Sequence, residues 1–312
     1  MGTENLTFVT EFILAGLSTN HRKTQILLFL VILLVYLFTL VGNLTTIVLV
    51  RTNSHLHTPM YFFLMHLSGL EICYVTTTLP QTLAHLLSGN GSISFSRCMF
   101  QIYAFQSLAG TECFLLGAMA YDRYLAICHP LVYTTAMGRW CQWQLASASW
   151  VSGFLLALIN VVCTLHFPFC GPNHLNHFFC ELPMLLKLVC ADTPVLEAIL
   201  LGTAGLAILG PLFVILTSYG LILSSVLRMQ STSGRHKAFS TCASHLVVVT
   251  LYYGTTFFMY LIPRSRMAPD RDKKIAVLYA VVTPLLNPII YTLRNKDVHK
   301  AVTKMLKRKS FE

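Results

Sequence analysis

Charge is what this sequence has least of. Only 11% of its 312 residues are Asp, Glu, Lys or Arg, while 55% are hydrophobic. An ordinary soluble domain is about 25% charged. A soluble fold cannot hide that much apolar surface, because some of its exterior must meet water. The charge that is present is also clustered. Thr24 to Val50, Ile72 to Ser96, Ala198 to Leu227, Ala238 to Pro263 and Ile275 to Leu293 contain none at all. Trp140 to Cys180 is uncharged too, and holds one helix followed by a polar loop rich in His and Pro. Cys98 to Cys128 is interrupted only by Glu112 and the pair Asp122–Arg123. A membrane-crossing helix needs roughly 20 apolar residues. The pattern therefore predicts an all-α bundle of seven transmembrane helices, near 25–50, 58–83, 98–128, 141–165, 196–228, 237–262 and 273–293.

Other features are missing. The first 24 residues carry Glu4 and Glu11 and have no compact apolar core, so no cleavable signal peptide is expected and helix 1 serves as an anchor. No soluble domain or internal repeat is legible. Inverted repeats and charged, broken helices, the marks of a transporter, are absent. No Ser/His/Asp set or His-rich metal motif shares one depth, so the chain reads as a non-enzyme. His66, His85 and His166 are scattered and read as interfacial or packing residues. No nucleic-acid partner is expected.

Orientation follows from the basic residues. With the amino end outside, 13 of the 22 Lys and Arg fall inside, seven of them in the tail 294–312. The positive-inside rule favours this arrangement modestly, and the basic segment Arg264–Lys274 runs against it. Asn5-Leu6-Thr7 is a glycosylation acceptor, useful only outside. Cys98, Cys170, Cys180 and Cys190 fall in outer segments, where disulfides persist. Four cysteines allow three pairings, and spacing does not choose among them. Cys73, Cys113, Cys128, Cys141, Cys163 and Cys242 read as small buried hydrophobes.

Six strings narrow the class. They are Gly42-Asn43; Leu56-His57-Thr58-Pro59-Met60-Tyr61 with the Phe-Phe-Leu that follows; Met119-Ala120-Tyr121-Asp122-Arg123-Tyr124 and its continuation to Leu131; Pro211 with Ser218-Tyr219; Lys237-Ala238-Phe239-Ser240-Thr241-Cys242 and its continuation to Leu246; and Pro284-Leu285-Leu286-Asn287-Pro288 and its continuation to Tyr291. Asp-Arg-Tyr and Asn-Pro-x-x-Tyr resemble rhodopsin-like G-protein-coupled receptors. The longer strings on helices 2, 3 and 6 resemble the olfactory receptors, and the loop 170–190 resembles their tetrapod-type (class II) branch. The resemblance runs over essentially the whole chain.

That resemblance implies an odorant receptor of the plasma membrane, coupled to a stimulatory G protein that raises cyclic AMP. It pairs Cys98 with Cys180, leaving Cys170 for Cys190. It assigns coupling and switching to Asp122, Arg123, Tyr124, Asn287, Pro288 and Tyr291, with Arg123 paired to Asp122 at rest. Related receptors often hold this arginine with an acid at the base of helix 6. Here Arg235, His236 and Lys237 stand there instead, so Tyr219 and His245 are the candidates, with helix packing the alternative for His245. Glu71 and Glu112 are acids at membrane depth, which normally face the bundle interior and have a task. With Asn43 and Asn287 they match a sodium site of related receptors, and oxygen ligands suit a hard cation. The alternative is a shared proton, since two close carboxylates do not both ionise alone. Glu71 departs from the family, where Asp is more frequent. The basic tail, with Val298, Val302, Met305 and Leu306 on one side, reads as a short helix on the inner leaflet lipid.

The ligand cavity is expected in the outer half of the bundle. Helical spacing from Arg123 turns Phe105, Gln106, Ala109 and Gly110 toward it. Placement by analogy adds Thr203, Ala204 and Ala207 from helix 5, and Tyr253, Thr256, Phe257 and Tyr260 from helix 6. No charge stands among these residues, and a buried ammonium would lack a partner there at heavy cost. The expected ligand is therefore small, neutral and hydrophobic.

Overall fold

A computed structural model describes residues 9–17, 21–169, 173–189, 194–261 and 269–293. Seven long helices form one bundle. Helix 1 is Arg22–Thr52, helix 2 Pro59–Ser88, helix 3 Phe95–Cys128, helix 4 Arg139–Leu165, helix 5 Pro194–Arg228 and helix 6 Thr232–Tyr260. Helix 7 is composite. It runs as α-helix over Pro269–Val277, loosens to a π turn at Leu278–Val282, returns to α-helix at Thr283–Pro288 and ends in a second π turn, Ile289–Leu293. Most helices start earlier than their uncharged runs suggest. Polar and charged residues at the water boundary, such as Arg22, Arg97 and Arg139, continue the first turn.

Local chemistry fixes the ends. Pro59 opens helix 2, where its missing N–H costs nothing. Gly89 closes helix 2 in the left-handed conformation, at φ +71°. At helix 6, the Ser231 hydroxyl accepts from the Gly234 N–H at 3.2 Å.

Unlike a soluble protein, the bundle is apolar on its outside as well as in its core. On helix 1, Phe38 is 65% exposed while Asn43 is 1% exposed, and Thr39 and Thr46 also point inward. Six described helices are long and apolar enough to cross a bilayer. Helix 3 is the exception in apolarity. Gln106, Ser107, Thr111 and Glu112 interrupt its middle, and it lies at the centre, packed on helices 2, 4 and 5. Its polar residues meet protein rather than lipid, which is what the high cost of bare polar groups in hydrocarbon demands. Helices 3 and 4 meet at backbone distance. A Cβ on Gly110 would sit 3.2 Å from the Gly153 Cα, and one on Gly153 would sit 2.5 Å from the Thr111 backbone nitrogen.

The outer end carries a small sheet that the sequence did not announce. Strand β1, Glu11–Leu14, lies between β2, Ser92–Ser94, and β3, His174–Leu175. Glu11 pairs with Ser94 antiparallel, and Ile13 with His174 parallel. The amino-terminal segment is thus stitched across two outer loops. The Cys98–Cys180 disulfide is formed and ties the second loop to helix 3. Cys170 and Cys190 lie outside the described residues, although their neighbours Phe169 and Val189 form an antiparallel bridge. Asn5, Arg264 and the tail 294–312 also lie outside them. Cys113 and Cys242 are buried as expected, but Cys73 is exposed on the outer face of helix 2. A small, weakly polar thiol can face lipid as readily as core.

Candidate functional site

A cavity of about 460 Å³ lies at the end that carries the disulfide. It is enclosed by helices 3, 4, 5 and 6 and by Leu182 and Pro183 of the second outer loop. Eight expected residues line it: Gln106, Ala109, Gly110, Thr203, Ala204, Ala207, Thr256 and Tyr260.

Three expected residues do not line it. Phe105 is turned away and packs under the loop, with ring centroids 4.7 Å from Tyr74, 4.8 Å from Phe179 and 6.0 Å from Tyr279. Neighbouring helical positions point about 100° apart, so Gln106 can line the cavity while Phe105 does not. Tyr253 is buried, and its hydroxyl donates to the Cys113 carbonyl at 2.9 Å. Phe257 is 42% exposed on the outer face of helix 6. One acid also corrects the expectation of a charge-free wall. Glu197, in the first turn of helix 5, lies on the lining and is exposed at its rim. A helix amino terminus favours a carboxylate there.

Sequence reasoning missed the helix 4 wall, formed by Gly153, Leu156, Ala157 and Asn160. The available signal was a lone amide, Asn160, in the apolar run 151–165. It also missed Glu181, one residue beyond the disulfide. Glu181 is buried, and its Oε1 accepts from Tyr260 and Tyr279 hydroxyls, each at 2.6 Å. His177 Nε2 lies 3.6 Å from Glu181 Oε2. Burial pushes the His177 imidazole down to about 3, so it is neutral at physiological pH. At the outer end of helix 7, Lys273 donates to the Gly16 carbonyl at 3.1 Å, and Lys187 stands 3.5 Å from Asp272. Lid, amino terminus and helix 7 are therefore joined.

Deeper in the bundle, Glu71 and Glu112 come together with Asn43 and Asn287. The Asn287 amide donates to Glu71 Oε1. Asn43 also lies against Glu71, and Asn287 against Glu112. Four buried oxygens here have no hydrogen-bond partner: Asn43 Oδ1, Glu71 Oε2, Glu112 Oε1 and Asn287 Oδ1.

At the inner end, the expected Asp122–Arg123 ion pair is not formed. Asp122 Oδ1 instead accepts from the Tyr133 hydroxyl at 2.8 Å. Burial and the adjacent Asp122 hold the Tyr133 phenol above its usual range, so it remains a donor. This leaves the partly buried Arg123 without an ion pair among the described residues. The Tyr124 hydroxyl lies 2.9 Å from His129 Nε2. Tyr219 and His245 do meet. The Tyr219 hydroxyl is 2.7 Å from His245 Nδ1, while His245 Nε2 is 3.1 Å from the Leu116 carbonyl. A carbonyl only accepts, so Nε2 carries the proton and Tyr219 donates to Nδ1. This chain thereby joins helices 3, 5 and 6. Pro288 precedes the second π turn and Tyr291 lies within it; Pro288 packs close to Gly42, and Tyr291 is buried. Among the scattered histidines, His66 accepts from Trp150 Nε1 at 3.3 Å, a packing role.

A seven-helix bundle with a loop-covered outer cavity and an Asp-Arg-Tyr inner end defines a membrane receptor of the rhodopsin-like class. The family described as "Olfactory receptor" matches residues 32–309. The chain is 48% identical to Olfactory receptor 2G3 of Homo sapiens over 310 residues, covering 99% of this chain and 100% of that one. It is 47% identical to Olfactory receptor 5F1 of Homo sapiens over 99% of this chain and 98% of that one. Olfactory receptor 5M5 of Mus musculus is 47% identical over 97% of this chain and 95% of its own length. The chain belongs to the olfactory receptor family: it is a multi-pass membrane receptor of the odorant-sensing, G-protein-coupled type, and not an enzyme.

Proposed function

We propose that this receptor binds a small, neutral, hydrophobic odorant in the outer cavity and activates a stimulatory G protein, raising cyclic AMP. The observation that carries the reading is the cavity wall. It is mainly apolar, and its only acid among the described residues, Glu197, stands at the exposed rim. A cavity of this size is in the range of small-molecule sites. A cationic ligand in its depth would have no counter-charge. The receptor acts at the plasma membrane with its amino end outside, where Asn5 is the glycan acceptor.

The same reading gives the inner cluster an ion. A sodium ion suits Asn43, Glu71, Glu112 and Asn287, because four buried oxygens there lack hydrogen-bond partners and hard cations take oxygen ligands. The ion would balance two carboxyls that otherwise share one proton. The switch works through Arg123, freed from Asp122 by Tyr133, and through the Tyr219–His245 link across helices 5 and 6. The test is odorant-stimulated nucleotide exchange on a stimulatory G protein, in membranes that carry the receptor. Exchange driven by neutral volatiles supports the proposal. Exchange driven only by charged, non-volatile compounds defeats it.

A further inference from the structure

The polar groups of the cavity wall are unequally committed. Thr256 Oγ1 donates to the Tyr252 carbonyl at 2.8 Å. The Tyr252 hydroxyl donates to the Ala109 carbonyl at 2.6 Å, and Tyr260 donates to Glu181. These hydroxyl hydrogens point into protein rather than toward a ligand.

Asn160 is different. Its Oδ1 accepts from Thr203 Oγ1 at 2.7 Å, across the interface of helices 4 and 5. Thr203 Oγ1 also lies 3.0 Å from the Leu200 carbonyl. A hydroxyl has one hydrogen, so the shorter contact decides its direction. A separation of 2.7 Å is normal for O–H···O and short for N–H···O. With the hydroxyl donating to the amide oxygen, the amide nitrogen is the end left for the cavity. The Nδ2 hydrogens have no acceptor among the described residues, and Asn160 lines the cavity. Gln106, on the facing helix 3, is the other amide in the wall, but nothing anchors its side chain, and its Oε1 is buried away from the cavity surface without a partner. Asn160 is anchored, and an anchored donor loses little freedom on binding.

We infer that Asn160, oriented by Thr203, is the specificity-setting donor of this cavity, and that the receptor selects neutral odorants bearing a carbonyl-type acceptor oxygen, such as ketones, esters or lactones, over hydrocarbons of the same shape. This rests on the outer cavity being the odorant site. A carbonyl oxygen takes the amide hydrogens and brings no donor of its own into an apolar wall. A hydrocarbon leaves a buried amide unsatisfied, and sites built to hydrogen-bond a ligand reject analogues that lack the group.

The test uses full-length receptor at the cell surface, with a cyclic AMP reporter and surface staining. The probes are matched pairs: straight-chain 2-ketones against alkanes, and lactones against cycloalkanes, of about seven to eleven carbons to suit the cavity. Three chains are compared: the unaltered receptor, N160L and T203V. The unaltered receptor responds to the carbonyl member of a pair at least about tenfold more potently, the effect of one hydrogen bond made in place of a stranded donor. N160L loses that preference, the carbonyl and hydrocarbon members of a pair becoming equipotent while surface staining is retained, which separates recognition from folding. T203V keeps volume but removes the anchor, and loses part of the preference. Equal potency within pairs on the unaltered receptor overturns the inference, as does an intact carbonyl preference in N160L. A surface-expressed receptor silent to every pair and to other neutral volatiles overturns the odorant reading beneath it. A response to other volatiles that N160L leaves unchanged overturns only the role of Asn160.

Discussion

Two polar regions lie at different depths of this bundle, and they handle their hydrogen bonds oppositely. Around the outer cavity, hydroxyls are tied back into the protein, and the anchored amide of Asn160 keeps its donors free. In the inner cluster, the unpartnered atoms are acceptors: four oxygens of Asn43, Glu71, Glu112 and Asn287. The anchored amide of the outer region offers hydrogen, although Gln106 Oε1 there is also unpartnered, and the inner cluster offers oxygen. On the proposed reading, the first takes an uncharged acceptor and the second a cation or proton. Buried polar groups left without partners are costly, so each region's residue of unmet bonding reports what it is built to hold.

The comparison can be broken from the outer side first. Gly153→Leu puts a side chain where a Cβ alone meets the Thr111 backbone at 2.5 Å. Helices 3 and 4 must separate, and overpacking costs about 1–3 kcal/mol or more. The expected result is loss of surface expression or of odorant response, measured by surface staining and reporter assay. Glu112→Gln breaks the inner side. It removes one carboxylate of the pair, so thermal stability in detergent should lose its dependence on sodium concentration, while the preference among odorants stays. Sodium dependence unchanged from the unaltered receptor would show that the cluster holds no cation.

Smaller effects sharpen the picture. Tyr133→Phe deletes the bond to Asp122 and leaves the acid free to take Arg123. Signalling efficacy should fall about fivefold, the equivalent of roughly 1 kcal/mol for a hydrogen bond, with odorant preference unaltered. His177 gives a pH-dependent effect. The folded receptor holds it neutral to about pH 3, while an unfolded histidine protonates below about 6.5. The unfolded state therefore gains the proton first, so stability falls as pH drops below about 6.5 and does not change above it. His177→Phe, which keeps the ring beside Phe178, should flatten the slope of melting temperature between about pH 7 and 5.

The sequence made some of this plain and concealed the rest for physical reasons. Uncharged runs marked the helices because lipid penalises charge over whole segments. Glu71 and Glu112 were recognisable because acids at membrane depth normally face the interior with a task, and the resemblance to related receptors added Asn43 and Asn287. Tyr219 and His245 were reachable once the base of helix 6 proved basic. Cavity rotation was harder. One residue turns a helix about 100°, so Phe105, Tyr253 and Phe257 looked equivalent to neighbours that do line the wall. Long-range loop contacts left almost no periodic signal. That is why β1, Glu181 with its two tyrosines, and the Tyr133–Asp122 bond emerged only from the structure. Asn160 was visible as a letter, but its meaning depends on Thr203, 43 residues away.

The central claim is that an uncharged volatile in the outer cavity drives signalling through Arg123. It is tested most directly by a cyclic AMP reporter screen against a panel of neutral volatiles, run beside Arg123→Ala at matched surface expression. The account predicts dose-dependent responses to neutral volatiles in the unaltered receptor and none in Arg123→Ala. Robust signalling that survives the substitution, or a response confined to charged, non-volatile ligands, would contradict it.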